Sequence, residues 1–236
     1  MRRAERKGGR KKRRGDAGTR RRGDAEKKQD ENSSSRRVAA SPTLRVSSSP
    51  FPHTRDSSGK RRPTVSIVGA GRLGTALGIA LKSGGYSIKA VVARHLNHAR
   101  RSARLIGPNA QALTSKQLNL LPASDILLIT TPDDEIEAVA KTLATVLSKD
   151  EDGARTALHA SGALSSSILR SLSEVGFRIG SMHPLIAVSD AVSGAETLHE
   201  AFFCLEGERH ALRVARQISR ALGAKSFSIS AHNKAL

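Results

Sequence analysis

TVSIVGAGRLGTALGIAL, residues 64–81, joins two periodicities through a glycine turn. Thr64 to Val68 is a short run of β-branched and apolar residues, the composition of a buried strand. Leu73, Ala76, Leu77, Ala80 and Leu81 then recur at helical spacing, and Gly84-Gly85 stops the helix. Between the two, Gly69-Ala70-Gly71-Arg72-Leu73-Gly74 fits GxGxxG. Glycines recur in many turns, so the pattern alone says little. Placed after a strand and at the opening of a helix, it predicts a dinucleotide site rather than a bare turn. Gly69 permits the tight turn out of the strand. Gly71 lets a pyrophosphate approach the backbone, and Gly74 lets the helix pack close to the sheet. The amides of Arg72 and Leu73 fall in the first helical turn, where unpaired N–H groups and the helix dipole favour an anion.

The second strand, SIKAVVAR, selects between dinucleotides. An NAD site usually carries a carboxylate about 20 residues on, at the end of that strand, where it bonds the ribose hydroxyl. Here the strand ends in Ala93-Arg94-His95 and offers none. Arg94 is placed to face a 2′-phosphate, with Arg100 and Arg101 one or two helical turns away, so NADP is expected in preference to NAD. The competing reading makes Arg94 a solvated strand-end cation.

Strand and helix keep alternating beyond this unit. Residues 95–106 form a basic helix and SDILLITTP a buried strand. In TPDDEIEAVAKTLATVL, Thr131 is suited to cap a helix and Pro132 to its first position. Asp133, Asp134 and Glu135 then sit at the positive end of the helix, and Ile136, Val139, Ala140, Leu143 and Leu147 form its inner face. RTALHASG is a strand and turn, and Ile168, Leu169, Leu172 and Val175 mark another helix. FRIGSMHP and AFFCLEG are strands, ALRVARQISRAL is a helix ended by Gly223, and KSFSIS is a last strand. This order predicts an α/β fold, a doubly wound and mainly parallel sheet with helices on both faces and ligands at the carboxyl ends of its strands.

The basic excess lies elsewhere. Of a formal net charge of +19, residues 1–62 contribute 21 Lys and Arg against 7 Asp and Glu, and the rest of the chain 19 against 14. Residues 1–62 have few apolar side chains and are expected to be a disordered basic leader and linker. A solvated tail or mis-set start is one reading, and weak, salt-sensitive contact with nucleic acid or an acidic membrane is another. The acids Glu5, Asp16, Asp24, Glu26, Asp30 and Glu31 argue against an organelle address. No apolar run reaches the ~20 residues of a membrane span. The single cysteine, Cys204, excludes an intrachain disulfide and is read as a buried small hydrophobe in a reducing, cytoplasmic compartment. The eight histidines are scattered and no CxxC occurs, so no metal site is expected.

Five stretches, IVGAGRLGTALGIAL, DILLITTPDDEI, LHASGALSS, GSMHPLIAV and AHNKAL, together resemble a family of NADP-dependent oxidoreductases. That family joins a Rossmann domain to a helical C-terminal domain of uncharacterised function. More distantly, the chain is similar to pyrroline-5-carboxylate reductase and the 3-hydroxyacid dehydrogenases. The resemblance implies a Rossmann domain over residues 63–230, with residues 231–236 opening a truncated helical domain. It implies that Thr131 and Pro132 flank the nicotinamide ribose, and that His159, Ser161 and Gly162 border nicotinamide and substrate. His183 and Pro184 face the same cleft, and Lys234 protonates a carbonyl oxygen as hydride arrives. A homodimer through the missing domain is implied too, which leaves open a fragment that binds cofactor without turnover.

Each implied catalytic group has a structural competitor. His183 fits a turn histidine satisfied by backbone, Ser161 a cap on the next helix, and Lys234 a surface cation. A His159–Ser161 hydrolase dyad lacks the GxSxG elbow. The expected function is an NADP-dependent reductase or dehydrogenase of a small C=O or C=N substrate, with Ser161, His183 and Lys234 as its substrate-side groups. The alternative is a dinucleotide-binding or sensing module without chemistry.

Overall fold

Ile126, Leu127, Leu128 and Ile129 are each 2% exposed or less, and a strand buried on both faces requires a layer on each side. The computed structural model, which describes residues 63–147, 149 and 155–234, supplies those layers. The basic leader expected over residues 1–62 lies outside the described residues. An eight-stranded sheet runs through β1 (Thr64–Val68), β2 (Ser87–Ala93), β3 (Gln111–Thr114), β4 (Ile126–Ile129), β5 (Thr156–His159), β6 (Arg178–Pro184), β7 (Phe202–Gly207) and β8 (Lys225–Ser228). Its spatial order is β3-β2-β1-β4-β5-β6-β7-β8. Helices α1 (Arg72–Ser83), α2 (Leu96–Ile106), α5 (Ala191–Thr197) and α6 (Arg209–Ala221) pack on one face. Helices α3 (Asp133–Val146) and α4 (Arg170–Glu174) pack on the other. This is the doubly wound α/β architecture expected from the sequence. Its chain order reverses between β1 and β4, the crevice where such sheets take ligands.

Alternation along each strand divides the apolar residues between two cores. Val65, Ile67, Ile126, Leu128 and Leu158 join the α1/α6 side, and Val68, Leu127, Ile129 and Ala157 the α3/α4 side. Each fully buried Leu or Ile contributes about 1.5–3 kcal/mol relative to exposure, so removing either helical layer would strip support from the same strands.

The last two strands run opposite to the other six, within the mainly parallel sheet that the sequence predicts. β7 pairs with β6 antiparallel, while β8 pairs with β7 in parallel. The segment after β6 does not cross to the far end of the sheet. Its α5 packs beside α1, and the chain re-enters the sheet where it left, with Leu185 N donating to Phe202 O at 2.8 Å. A same-end return forces an antiparallel pair.

Two helix starts are also refined. The N-cap of α3 is Pro132, and Thr131 makes no capping bond. Ile168 and Leu169 lie in a 3-10 turn, Ser166–Leu169, before the short α4. Cys204 is half-buried on β7 rather than buried. Among the described residues no helix is long and apolar enough to cross a membrane.

Candidate functional site

The turn after β1 is built by its own backbone. Gly69 N and Ala70 N both donate to Val92 O on β2, at 2.9 and 2.8 Å, and Gly71 N donates to Gly69 O at 2.7 Å. Gly69 sits at φ +108°, and a Cβ there would lie 2.5 Å from the Thr130 carbonyl carbon and the Thr131 nitrogen. Gly74 is excluded from substitution by contact alone. A Cβ there would overlap Gly69 O and Thr130 Oγ1, which are themselves hydrogen-bonded at 2.7 Å.

Gly71 differs from both. Its φ is −79°, open to any residue, and a Cβ on it would meet nothing within 4 Å. Nothing in the fold itself therefore calls for glycine at this position. Gly71 is also the N-cap of α1, so it offers no side-chain acceptor to Arg72, Leu73 and Gly74 behind it, and the first turn holds no acid. By contrast α3 begins with three acids and α5 is capped by Asp190. The start of α1 thus combines uncapped amides, the positive end of the helix dipole and bare space above a glycine, a cradle that fits a diphosphate.

The neighbouring strand ends carry the other sequence-predicted residues. Arg94 follows β2 and forms an ion pair with Glu135 in the first turn of α3. Thr131 and Pro132 follow β4, and the Thr131 Oγ1 is buried with no hydrogen-bond partner.

On the other side of β4 the register lines up a polar row. Ile129 pairs with His159, His159 with Ser181, and Ser181 with Glu206 across the antiparallel step. Strand alternation sends all four toward the α3/α4 face. His159 is 1% exposed, and its Nδ1 accepts from Ser161 N at 3.2 Å. Burial, reinforced by the positive charge of Lys234, pushes its pKa from 6.5 to about 3, so the ring is neutral at physiological pH. The proton then sits on Nε2, which is buried and faces the Ser165 backbone without a well-formed hydrogen bond.

Ser161 is fully engaged. Its Oγ donates to Asp133 Oδ2 at 2.7 Å and accepts from Ala163 N and Leu164 N at 3.2 and 3.0 Å. It caps the turn after β5, whereas the following 3-10 turn is capped by Ser165. His183 Nδ1 donates to Ala160 O at 2.9 Å, which leaves its Nε2 a lone pair beside Gly162. Lys234 is 6% exposed, not a surface cation, and its Nζ donates to Ser181 Oγ. Burial lowers its pKa, and Glu206, Cys204 and Asp133 oppose that shift. Glu206, 3% exposed, accepts from Ser166 N at 2.6 Å and Ser166 Oγ at 2.7 Å.

The structure therefore brings Ser161, His183 and Lys234 into one cluster at the carboxyl ends of β5 and β6 and the amino end of β7, while Arg94 stands across β1 from it. Sequence reasoning missed Ser181, Glu206 and the second role of Asp133. A lone acid inside the apolar run FFCLEG was the legible signal for Glu206. Among the described residues no group of His, Cys, Asp and Glu could hold a metal.

Solved structures share this architecture. Protein TM1727 from Thermotoga maritima is 24% identical, with a TM-score of 0.55 over 72% of this chain and 59% of that one. Synechocystis arogenate dehydrogenase is 18% identical, with a TM-score of 0.59 over 72% of this chain and 61% of that one. Aquifex aeolicus prephenate dehydrogenase, solved with hydroxyphenyl propionate and NAD+, is 15% identical, with a TM-score of 0.60 over 74% and 62%. These are likenesses of fold, and the chain spans about three fifths of the length of each structure. No curated protein matches it. A Rossmann-like domain model matches residues 51–184, and with the glycine turn at the reversal point of the sheet, the chain belongs to the Rossmann-like domain family.

Proposed function

We propose that this chain is the cofactor-binding portion of an NADP-dependent oxidoreductase acting on a small C=O or C=N substrate. The observation that carries the reading is Gly71: a glycine the fold does not need, open to solvent, at the uncapped start of α1. That the fold's solved neighbours include dehydrogenases, one with NAD+ bound, supports it.

Gly69, Ala70, Gly71, Arg72, Leu73 and Gly74 would hold the diphosphate through backbone amides, Arg94 the 2′-phosphate, and Thr131 and Pro132 the nicotinamide ribose. NADP, when bound, supplies or accepts hydride. The chain's own contribution is orientation and proton handling. His183 Nε2 presents a lone pair and His159 Nε2 a proton, while Lys234 holds an ammonium whose proton burial makes easier to release. Residues 63–230 form the dinucleotide domain in this reading. The leader of residues 1–62 adds at most weak contact with polyanions.

Titration of the full chain with NADPH and NADH tests the proposal. Saturable binding of NADPH, weakened at least tenfold in Gly71→Val, is expected, and negligible affinity for both dinucleotides would end it. A second reading, a dinucleotide-binding module without chemistry, draws on the Ser161 hydroxyl and the Lys234 ammonium, both already bonded within the protein. Turnover of any carbonyl or imine substrate that is lost in His183→Ala would exclude it.

A further inference from the structure

Arg94 is the residue on which a preference for the 2′-phosphate depends, and its guanidinium is already engaged. It pairs with Glu135, the third residue of α3. Both side chains reach solvent, at 68% and 37% exposure, so a ligand arriving from outside can meet either. β2 and β4 flank β1 in the sheet, so a bridge from the residue after β2 to the first turn after β4 passes across the carboxyl end of β1. It therefore spans the mouth of the crevice beside the glycine turn. One carboxylate oxygen of Glu135 takes one terminal nitrogen of the guanidinium, a donor that a phosphate oxygen would also take.

We propose that Glu135 acts as an internal stand-in for the 2′-phosphate and thereby sets the preference between dinucleotides with and without it. The proposal rests on the dinucleotide reading above. A ligand bearing the 2′-phosphate must displace Glu135 from Arg94 and then lies beside an unpaired carboxylate. A ligand lacking it leaves the pair intact. Glu135 therefore subtracts from affinity for the phosphorylated dinucleotide alone, and the intact chain discriminates less than Arg94 by itself would allow. Arg94 and Glu135 lie 41 residues apart, so the coupling comes from the sheet order rather than from local sequence.

The test is a titration of the full chain with NADPH, NADH and 2′,5′-ADP. In Glu135→Gln, NADPH and 2′,5′-ADP are expected to bind about three- to tenfold tighter, in line with removal of one exposed competing charge, with NADH within about twofold of the unsubstituted chain. In an Arg94→Gln background the same substitution should tighten NADPH and 2′,5′-ADP by less, because no guanidinium is left to be freed and only the carboxylate–phosphate repulsion is removed. Glu135→Asp keeps the charge at the start of α3 but shortens its reach, and should shift binding in the same direction by less. Equal tightening of NADPH and NADH in Glu135→Gln would overturn the proposal, because Glu135 would then act on the diphosphate. Loss of NADH binding would overturn it as well, making Glu135 a ribose-hydroxyl acceptor. Absence of saturable binding in every variant, Gly71 intact, would instead remove the dinucleotide site itself and this proposal with it.

Discussion

Ser181 on β6 lies directly opposite Glu206 on β7, and the antiparallel step between these strands turns both side chains to the α3/α4 face. Lys234 reaches Ser181, and Glu206 takes both the amide and the hydroxyl of Ser166. A buried carboxylate thus anchors the 3-10 turn over the sheet and balances a buried ammonium. Removing it in Glu206→Ala strands Ser166 and Lys234 together, so stability should fall by about 3–5 kcal/mol. Glu206→Gln keeps the shape and should cost about 1–3 kcal/mol. Lys234→Met should cost less than Glu206→Ala, because it also relieves a desolvated charge. Urea denaturation of the three variants checks the order, and a larger loss in Lys234→Met would show that the ammonium, not the carboxylate, is the anchor.

Ser161 and Asp133 form a second test. The serine hydroxyl donates to Asp133 and accepts two amides of the turn after β5. Ser161→Ala should therefore cost about 1–2 kcal/mol in unfolding free energy. If the serine acts only by holding this turn, Asp133→Asn should alter substrate-side behaviour in the same direction as Ser161→Ala but less. A variant pair in which Ser161→Ala abolishes turnover at unchanged stability would instead place the hydroxyl on the substrate.

The glycine turn was legible because two independent signals coincided there: strand-to-helix periodicity and glycine spacing. The long apolar strands and α6 were legible for the same reason, a strong period bounded by breakers. β3, with the sequence QALT and a half-exposed burial pattern, carries too little period to stand out. Helix α5, with Gly194 and two β-branched residues in seven, has poor propensity. It is held instead by the Asp190 cap and by contact with Val188 and Ala76. The direction of β7 is a property of the return loop, not of strand composition. The polar row of His159, Ser181 and Glu206 exists only through register, and the Arg94–Glu135 pair only through strand order. Site residues next to one another in sequence could be read; those made neighbours by the sheet could not.

Thr131 offers a prediction of opposite sign. Its hydroxyl is buried without a partner, and an unsatisfied buried hydroxyl costs about 1–3 kcal/mol. Thr131→Val keeps the volume and removes the penalty, so the ligand-free chain should be stabilised by up to about 1 kcal/mol after the loss of any residual solvation. If the hydroxyl turns to a dinucleotide when one binds, the same variant should bind NADPH more weakly. Thermal unfolding with and without NADPH separates the two effects, and destabilisation without ligand would show that Oγ1 already has a partner.

His159 should make the fold acid-sensitive in a defined window. Its pKa is about 3 in the folded chain against 6.5 as its ordinary value. Below pH 6.5 the unfolded chain binds a proton that the folded chain refuses. The contribution is thus complete above pH 6.5 and is lost as pH falls toward 3. The shift corresponds to a loss of roughly 4–5 kcal/mol across that window, with a limiting slope of about 1.4 kcal/mol per pH unit. His159→Gln removes the titrating group while keeping a side chain able to accept from Ser161 N, so it should be less stable than the parent at pH 7 and flatter between pH 6.5 and 4. Unfolding free energies at pH 7, 5.5 and 4.5 for both chains check this. Parallel pH dependence in the two would mean that the imidazole is charged in the folded state, and the neutral donor assigned to His159 Nε2 would have to be withdrawn.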